Sequence, residues 1–488
     1  MAILTTKQKK LAIEQLIADF DSSVNEYYIG IGRSEDWNDS DVAPTTQTTL
    51  YEEEAFRDGL QSVKQVVDRT FVVPRYNWSS GAIYSAYDDK QVGYPTQTYY
   101  VMNDNNQVYI CLQQSKDNTG QPQPSTVQPT GNTTGVPFAT ADGYIWKFAY
   151  SISAIDANKF VAANFIPVKF QTATDSSSQA SDIEQFTVQN NAVKGQILGF
   201  AIDSGGAGYS DQNTIQLDIN AYGYDSALGF RDNDSAGGGA NLTGTRTMVL
   251  AKGALTISGG AVVKAEVIDS SGTLTFGSGQ RKARCTVSGG GSPTKPAKIR
   301  PVFGCVDGMG ADPRDDLKST GLMMSIKATG SETTDGQADF VVGNDFRQVG
   351  IIKNPLQTDS ATNGTFFNEG TGLALKQLKL AAVTQQFTAD NTIIGASSNI
   401  KALIDRVDSS NIFYHQTEDT GYGDFVSGES ITETNGNGAG TLTTTASLLP
   451  FIEPEIDTRD GEILYVDNRA SVTRSSDQTE DIKVVIQI

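Results

Sequence analysis

Histidine is almost missing from this 488-residue chain, which has one, His415, and only three cysteines, at 111, 285 and 305. A single His excludes His-rich zinc sites and leaves a Ser-His-Asp triad only if His415 is the base; no GxSxG elbow accompanies it. No two cysteines form a CxxC pair, so free thiols in a reducing compartment are expected. Long apolar runs are lacking too. No window approaches 18 consecutive apolar residues, so no helix is expected to span a bilayer. The opening Met1–Lys10 breaks its apolar run almost at once, so a secretory h-region is not expected. Basic charge is also short: 37 Lys and Arg against 57 Asp and Glu leave a formal charge of −20. Such a surface repels a polyanionic duplex and an anionic membrane, so neither nucleic acid nor membrane is expected as a partner. These features together predict a soluble chain made in a cytoplasm and not exported by general secretion.

What the chain does have is glycine (48 residues), with 18 Tyr and 21 Phe and many Thr, Ser, Asn and Asp. Aromatic and β-branched residues recur along the whole length, which excludes disorder and predicts many short strands joined by turns, a mainly β fold. Two short helices are readable near the start. Ile13, Leu16, Ile17 and Phe20 share a helical face behind a Thr6 start, with lysines opposing the macrodipole in the first turn. Thr49 and Glu52 have capping-box spacing, followed by Phe56, Leu60, Val63 and Val67 on one helical face. From residue 70 the period changes to two. Strands are expected at 70–75, 98–102, 107–112 and 144–150, with a long solvated loop at Asn118–Pro137 that is either functional or mobile.

Three divisions are expected: 1–190, an N-terminal part of the β core with two helices; 191–340, an inserted Gly-rich β domain; and 341–488, a C-terminal β region completing the core, itself interrupted around 357–450. Ala201-Ile-Asp-Ser-Gly-Gly and Val267-Ile-Asp-Ser-Ser-Gly, 66 residues apart, hint at a doubled β module. Flexible loops are expected at 235–240 and 288–292. Further strands are expected at 339–342 and 349–352, a helix or strand at 399–407, and a hairpin beginning at Phe425. The alternating Ile482, Val484, Ile486 and Ile488 make the C-terminus a strand paired in a sheet.

Sites of chemistry are few. Gly206 and Gly208 lack the third glycine of a dinucleotide loop, and no GKS or GKT follows any Gly-rich stretch. Asp232-Asn-Asp234 begins like a calcium loop, but Ala236 and Thr243 stand where ligands are needed. A carboxylate pair for glycoside hydrolysis is a spatial feature that spacing does not single out here. Arg281-Lys-Ala-Arg284 reads as a solvated strand edge. The expectation is therefore no enzyme, no catalytic residue, no metal and no cofactor, with His415 structural or superficial.

Five composite motifs rise above composition. They are Ile31-Gly-Arg-Ser-Glu-Asp-Trp37, Val72-Val-Pro-Arg-Tyr-Asn-Trp78, Asp142-Gly-Tyr-Ile-Trp-Lys-Phe148, Asp345-Phe-Arg-Gln-Val-Gly-Ile-Ile-Lys-Asn-Pro-Leu356 and Gly461-Glu-Ile-Leu-Tyr-Val-Asp-Asn-Arg469. In this order the chain resembles the baseplate wedge subunit of T4-type contractile tail phages, the gene-eight product family. The resemblance covers about 1–170 and 340–488 and carries Gly32, Arg33, Trp37, Pro74, Arg75, Trp78, Asp142, Gly143, Trp146, Phe346, Arg347, Asn354, Pro355, Asn468 and Arg469. It implies a β-sandwich core, a location in the virion tail baseplate after assembly in the host cytoplasm, and no catalytic residues. The partners it implies are the other wedge proteins and a second copy, as a homodimer within each wedge. The chain departs from the family's short form in the Gly-rich 191–340 and the 357–450 stretches. Read from residues alone, Gly32 and Arg33 end a strand in a tight turn, Pro74 sits at a strand end, and Asn468-Arg469 is a polar bend. Trp37, Trp78 and Trp146 are expected to pack on the core, with an interface anchor as the alternative. The alternative function is a tail appendage that binds a receptor or degrades polysaccharide.

Overall fold

A computed structural model describes residues 4–22, 24–38, 40–91, 98–131, 133–175, 177–225, 229–231, 248–328, 345–358, 364–444, 450–474 and 479–488. The fold is mainly β, built from short antiparallel strands with a few short helices. The expectations for 235–240, for Asp232–Asp234 with Ala236 and Thr243, and for 339–342 lie outside the described residues. Among the described residues, no helix is long and apolar enough to cross a membrane.

The chain divides into two compact units. The first comprises Met1–Glu14, Thr70–Met323 and Val485–Ile488; the second comprises Gln15–Arg69 and Met324–Val484.

In the first unit, the aromatic strands pair as a four-stranded sheet in the order Tyr100–Met102, Gln107–Gln113, Ile145–Ser151, Phe138–Ala139. The first three of these strands are buried on both faces, which is why their sequences are nearly continuous in apolar and aromatic residues rather than alternating. Trp146, Tyr144, Tyr109 and Phe148 form the core, with Tyr144 and Trp146 stacked at 5.6 Å. The long stretch 118–137 is irregular, as expected, but it is tied down rather than simply solvated. Tyr144 and Tyr109 hydroxyls donate to the carbonyls of Gln123 and Gly131, and Asn103 donates to that of Pro129. Each bond satisfies a polar group at the edge of an aromatic core, so the loop and the core specify each other.

The Gly-rich part of this unit has its own apolar cluster, centred on Tyr209, Leu255, Val262 and Ile299. The two similar hexapeptides fold differently. Ala201–Ser204 closes the strand Ile197–Ser204, whereas Asp269 makes a turn, its carboxylate accepting from the amides of Ser271 and Thr273. A doubled module is not what forms, because Gly205 and Ser271 diverge at the turn-determining position. The 288–292 stretch is a tight turn in which Gly289, Gly290 and Gly291 all have positive φ; a Cβ on Gly289 would collide with the Thr214 carbonyl. Arg281 and Lys282 are exposed on the strand Gln280–Ser288, at a sheet edge as expected.

In the second unit, five strands pair in the order Thr371–Leu373, Leu60–Gln65, Tyr27–Gly32, Asp345–Lys353, Glu462–Thr473. Helix α1 (Thr6–Phe20), of which only Gln15–Phe20 belongs to this unit, forms as read, and α2 (Leu50–Asp58) starts at Thr49, whose hydroxyl accepts from the Glu52 amide at 3.3 Å. The reading of 60–67 as a continuation of that helix is corrected. Gly59 ends α2, and Leu60–Gln65 is a strand hydrogen-bonded on both sides, because pairing satisfies every backbone group while burying Leu60 and Val63. A seven-stranded sheet, from Lys376 to Ile452, encloses Leu378, Ile393, Ile404, Ile412, Tyr414 and Ile431. The 399–407 ambiguity resolves to a strand, Lys401–Asp408, and the expected hairpin is Ser430–Glu433 with Ala439–Leu442. The C-terminal strand, Glu480–Gln487, is paired in a sheet and buries Ile482 and Val484.

Candidate functional site

The sequence motifs gather into two clusters, one in each unit. In the first unit, the Trp78 indole donates to Ser125 Oγ (3.1 Å), which donates to Asp142 Oδ2 (2.9 Å). The same oxygen accepts from the Thr126 and Val127 amides, and Thr140 donates to Oδ1. Burial raises the Asp142 pKa, but these hydrogen bonds outweigh it and hold the carboxyl below its usual range. Gly143 has φ +84°, and a Cβ there would lie 2.8 Å from Ser115 Oγ. Trp146 is fully buried beneath this corner. Pro74 ends the strand Asp68–Pro74 and its carbonyl accepts from Tyr100 (2.7 Å), while Arg75 donates to Asn77 and to the Ala162 carbonyl.

In the second unit the other nine motif residues lie on three neighbouring strands, Tyr27–Gly32, Asp345–Lys353 and Glu462–Thr473, or on the segments that follow the first two. Gly32 closes its strand against the Gly59 carbonyl, and Arg33 turns the chain at φ +59°. The Arg33 guanidinium sits 4.3 Å from the Trp37 ring centre, and the indole N–H donates to the Arg469 carbonyl (2.9 Å). Arg347, 5% exposed, donates to Asp41 (2.7 Å), to Asp36 (2.5 Å) and to the Ser34 carbonyl. One guanidinium thereby ties Ser34, Asp36 and Asp41 to the strand Asp345–Lys353. Gln348 donates to Asn468 (2.9 Å), opposite it in the sheet. Asn354, at φ +51°, bonds Asn25 and the Glu26 amide. Phe346 is buried, and the Pro355 carbonyl accepts from the Phe367 amide. Asn468 and Arg469 are not a bend, as had been expected. They lie within the strand Glu462–Thr473, where three residues bulge opposite Arg347, so the polarity of the stretch reflects an edge-strand bulge.

His415 is buried in the second unit, its two ring nitrogens both engaged by carboxylates: Nδ1 to Asp405 (2.6 Å) and Nε2 to Glu35 (3.0 Å). Burial alone would depress the imidazole pKa; the two carboxylates more than reverse this and raise it well above 6.5. Glu35 is correspondingly drawn down to about 2, against the upward pull of its own burial. An imidazolium clamped in this way has no nitrogen left to activate a serine. Asp405 reaches the ring because the pairing of Lys401–Asp408 with Asn411–His415 shifts register between Ile404 and Arg406. Asp405 is the extra residue, turned inward.

Glu35 also lines a cleft of about 800 Å³ beside α2. Its walls include Trp37, Tyr51 and Tyr422, with the carboxylates of Asp36, Glu54, Asp58, Glu418 and Asp419 around them; among the described residues its lining cations are Arg33 and Lys401, and Arg57 lies 3.6 Å from Glu54. Tyr422 donates its hydroxyl to Asp58 and carries the Arg459 guanidinium 5.3 Å from its ring centre. The first unit has a larger cavity, about 1020 Å³, near Leu4, Phe170 and Val306. Its cations are largely consumed: Lys10 pairs with Asp312 (3.0 Å) and Asp315 (2.8 Å), and Lys318 donates to two carbonyls.

No protein-family model matches this chain, and no curated protein matches it either.

Sequence reasoning found His415 but missed both of its partners and the whole cleft. Glu35 was in view, inside the motif ending at Trp37. Asp405 carried a weak signal, as an acidic residue interrupting the apolar pattern of a strand ten residues before the only His. Tyr51, Glu418, Asp419 and Tyr422 carried none, because nothing in their local sequence says that 51–58 and 417–422 face one space.

Proposed function

We propose that this chain is a non-enzymatic structural subunit of the baseplate wedge of a contractile phage tail, with a β-sandwich core and homodimeric within each wedge. It contributes interfaces with other wedge proteins and itself, and moves as a unit when the baseplate changes shape. The observation that carries this reading is the convergence of the ordered motifs. Residues 31–37 meet 345–356 and 461–469 in one unit, and 72–78 meet 142–148 in the other, as frames that fix loops. The ionisable groups within those frames are used to hold backbone: Arg347 on Ser34, and Asp142 on Thr126 and Val127. Clamping of both His415 nitrogens supports the absence of a catalytic base.

Electron cryomicroscopy of an intact tail tests the assignment directly: density for this chain is expected in the wedges around the hub. Light scattering on the purified chain is expected to report a dimer, and a stable trimer would count heavily against the reading. The alternative, a receptor-binding or polysaccharide-degrading appendage, draws support from the aromatic walls of the acidic cleft. Glycan hydrolysis abolished by replacing one cleft carboxylate would establish it instead.

A further inference from the structure

We propose that the cleft beside α2 is a docking site for an extended, arginine-bearing segment of another protein. The first argument is shape and size. At about 800 Å³ the cleft is in the range that encloses several side chains, and all of its walls belong to one unit. The second is the pairing of aromatic faces with carboxylates. Guanidinium groups stack on aromatic rings and fork onto carboxylates, and this cleft offers both at once. Two of its rings already carry the chain's own guanidiniums, Arg33 on Trp37 at 4.3 Å and Arg459 on Tyr422 at 5.3 Å. The third ring, Tyr51, is 70% exposed, and among the described residues no cation or ring covers it. Tyrosine is one of the side chains, with Trp and Arg, enriched among those that carry the energy of an interface.

Charge fixes the sign of the occupant. Glu54, Asp58, Glu418 and Asp419 face the cleft, and Glu418 and Asp419 are exposed on the 417–422 loop. Asp58 is half-buried, and burial raises its pKa against the opposing pull of the Tyr422 hydroxyl and the Arg459 guanidinium, so the uncompensated acids of the cleft are chiefly the exposed pair on the loop. A second copy of the chain is a poor occupant, since it brings another net −20. A lysine-rich segment would satisfy the charges but not the rings, because an ammonium is more strongly hydrated and cannot stack as a plane. The chemistry of the cleft is independent of where the protein resides, so the inference holds or falls apart from the baseplate reading.

The test uses the full chain and three labelled peptides, in which glycine alternates with arginine, lysine or glutamate, together with a neutral glucan oligosaccharide. Binding is followed by fluorescence anisotropy or calorimetry at about 0.15 M salt. The arginine peptide is expected to bind tightest and the glutamate peptide not at all. Tyr51→Ala and the double variant Glu418→Gln/Asp419→Asn, all on exposed side chains, are each expected to weaken the arginine peptide about fivefold or more. Asp218→Asn/Glu462→Gln removes the same charge from exposed strand positions elsewhere and is expected to change affinity less than about twofold. Four outcomes would overturn the proposal: equal weakening by the control pair, which would reveal only the diffuse field of an acidic chain; binding of the glucan in place of the peptide; binding of no probe; or self-association of the chain that the cleft variants abolish.

Discussion

At the scale of single residues, His415 and Arg347 look alike, each a buried cation held by carboxylates, two for His415 and three for Arg347, yet they differ in what their removal leaves behind. Without His415, the Asp405 carboxylate stays fully buried without its cation; without Arg347, Asp36 remains 69% exposed and solvated. His415→Gln is therefore expected to cost roughly 3–5 kcal/mol in urea denaturation at neutral pH, and Arg347→Ala clearly less. The pH dependence has two signs. The folded pKa of His415 is raised, so its contribution is complete below about 6.5 and is lost as pH rises through the higher folded value. The folded pKa of Glu35 is lowered to about 2, so its contribution is present above its unfolded value of 4.5 and fades as pH falls toward 2. In His415→Gln the deficit should shrink as pH falls from about 4.5 toward 2, because the wild type then loses the contribution of Glu35. A deficit that stays constant across that range would rule out this electrostatic account. The sequence announced that one His was present, but not that it was ionised, because its partners come from residue 35 and from a strand bulge.

At the scale of elements, local signals were read correctly where the local chain decides. The Thr49 cap is one case: its hydroxyl satisfies an amide that the first turn leaves unpaired. Thr49→Ala is expected to lower stability by about 1 kcal/mol, read as a shift of the urea midpoint with unchanged slope. Where α2 stops was not legible. Phe56, Leu60 and Val63 fit a helical face, but the neighbouring strands Tyr27–Gly32 and Thr371–Leu373 offer Leu60–Gln65 hydrogen bonds on both edges. Propensity over a few residues cannot compete with two ladders and a shared core. The same applies to the hexapeptides at 201 and 267, similar in letters and different in structure. The loop at 118–137 was legible as a loop; of its anchors, Tyr109 and Tyr144 come from segments read only as strands, and Asn103 from the turn after one.

At the scale of the whole molecule, the three cysteines offer a global probe of native packing. Cys111 is buried, and burial pushes all three thiols up, Cys285 to about 12; Cys305 is raised further by the nearby carboxylates of Asp316 and Asp315. Since the thiolate is the reactive form, the native protein at pH 8 should label slowly with a thiol reagent, and all three cysteines should label fast in denaturant. Rapid stoichiometric labelling of the native chain would contradict the packing described. The sequence by itself determined what composition and period control: a mainly β chain, its short strands, the two helix starts, the acidity, and the scarcity of histidine and cysteine. Only the tertiary structure decided which carboxylates face His415, how Arg347 and Asp142 hold their loops, and that aromatic rings and acids meet beside α2. Those features depend on residues from separate segments, some as far apart as Arg347 and Ser34 at 313 positions, being brought within hydrogen-bonding distance, and neither spacing nor propensity carries that information.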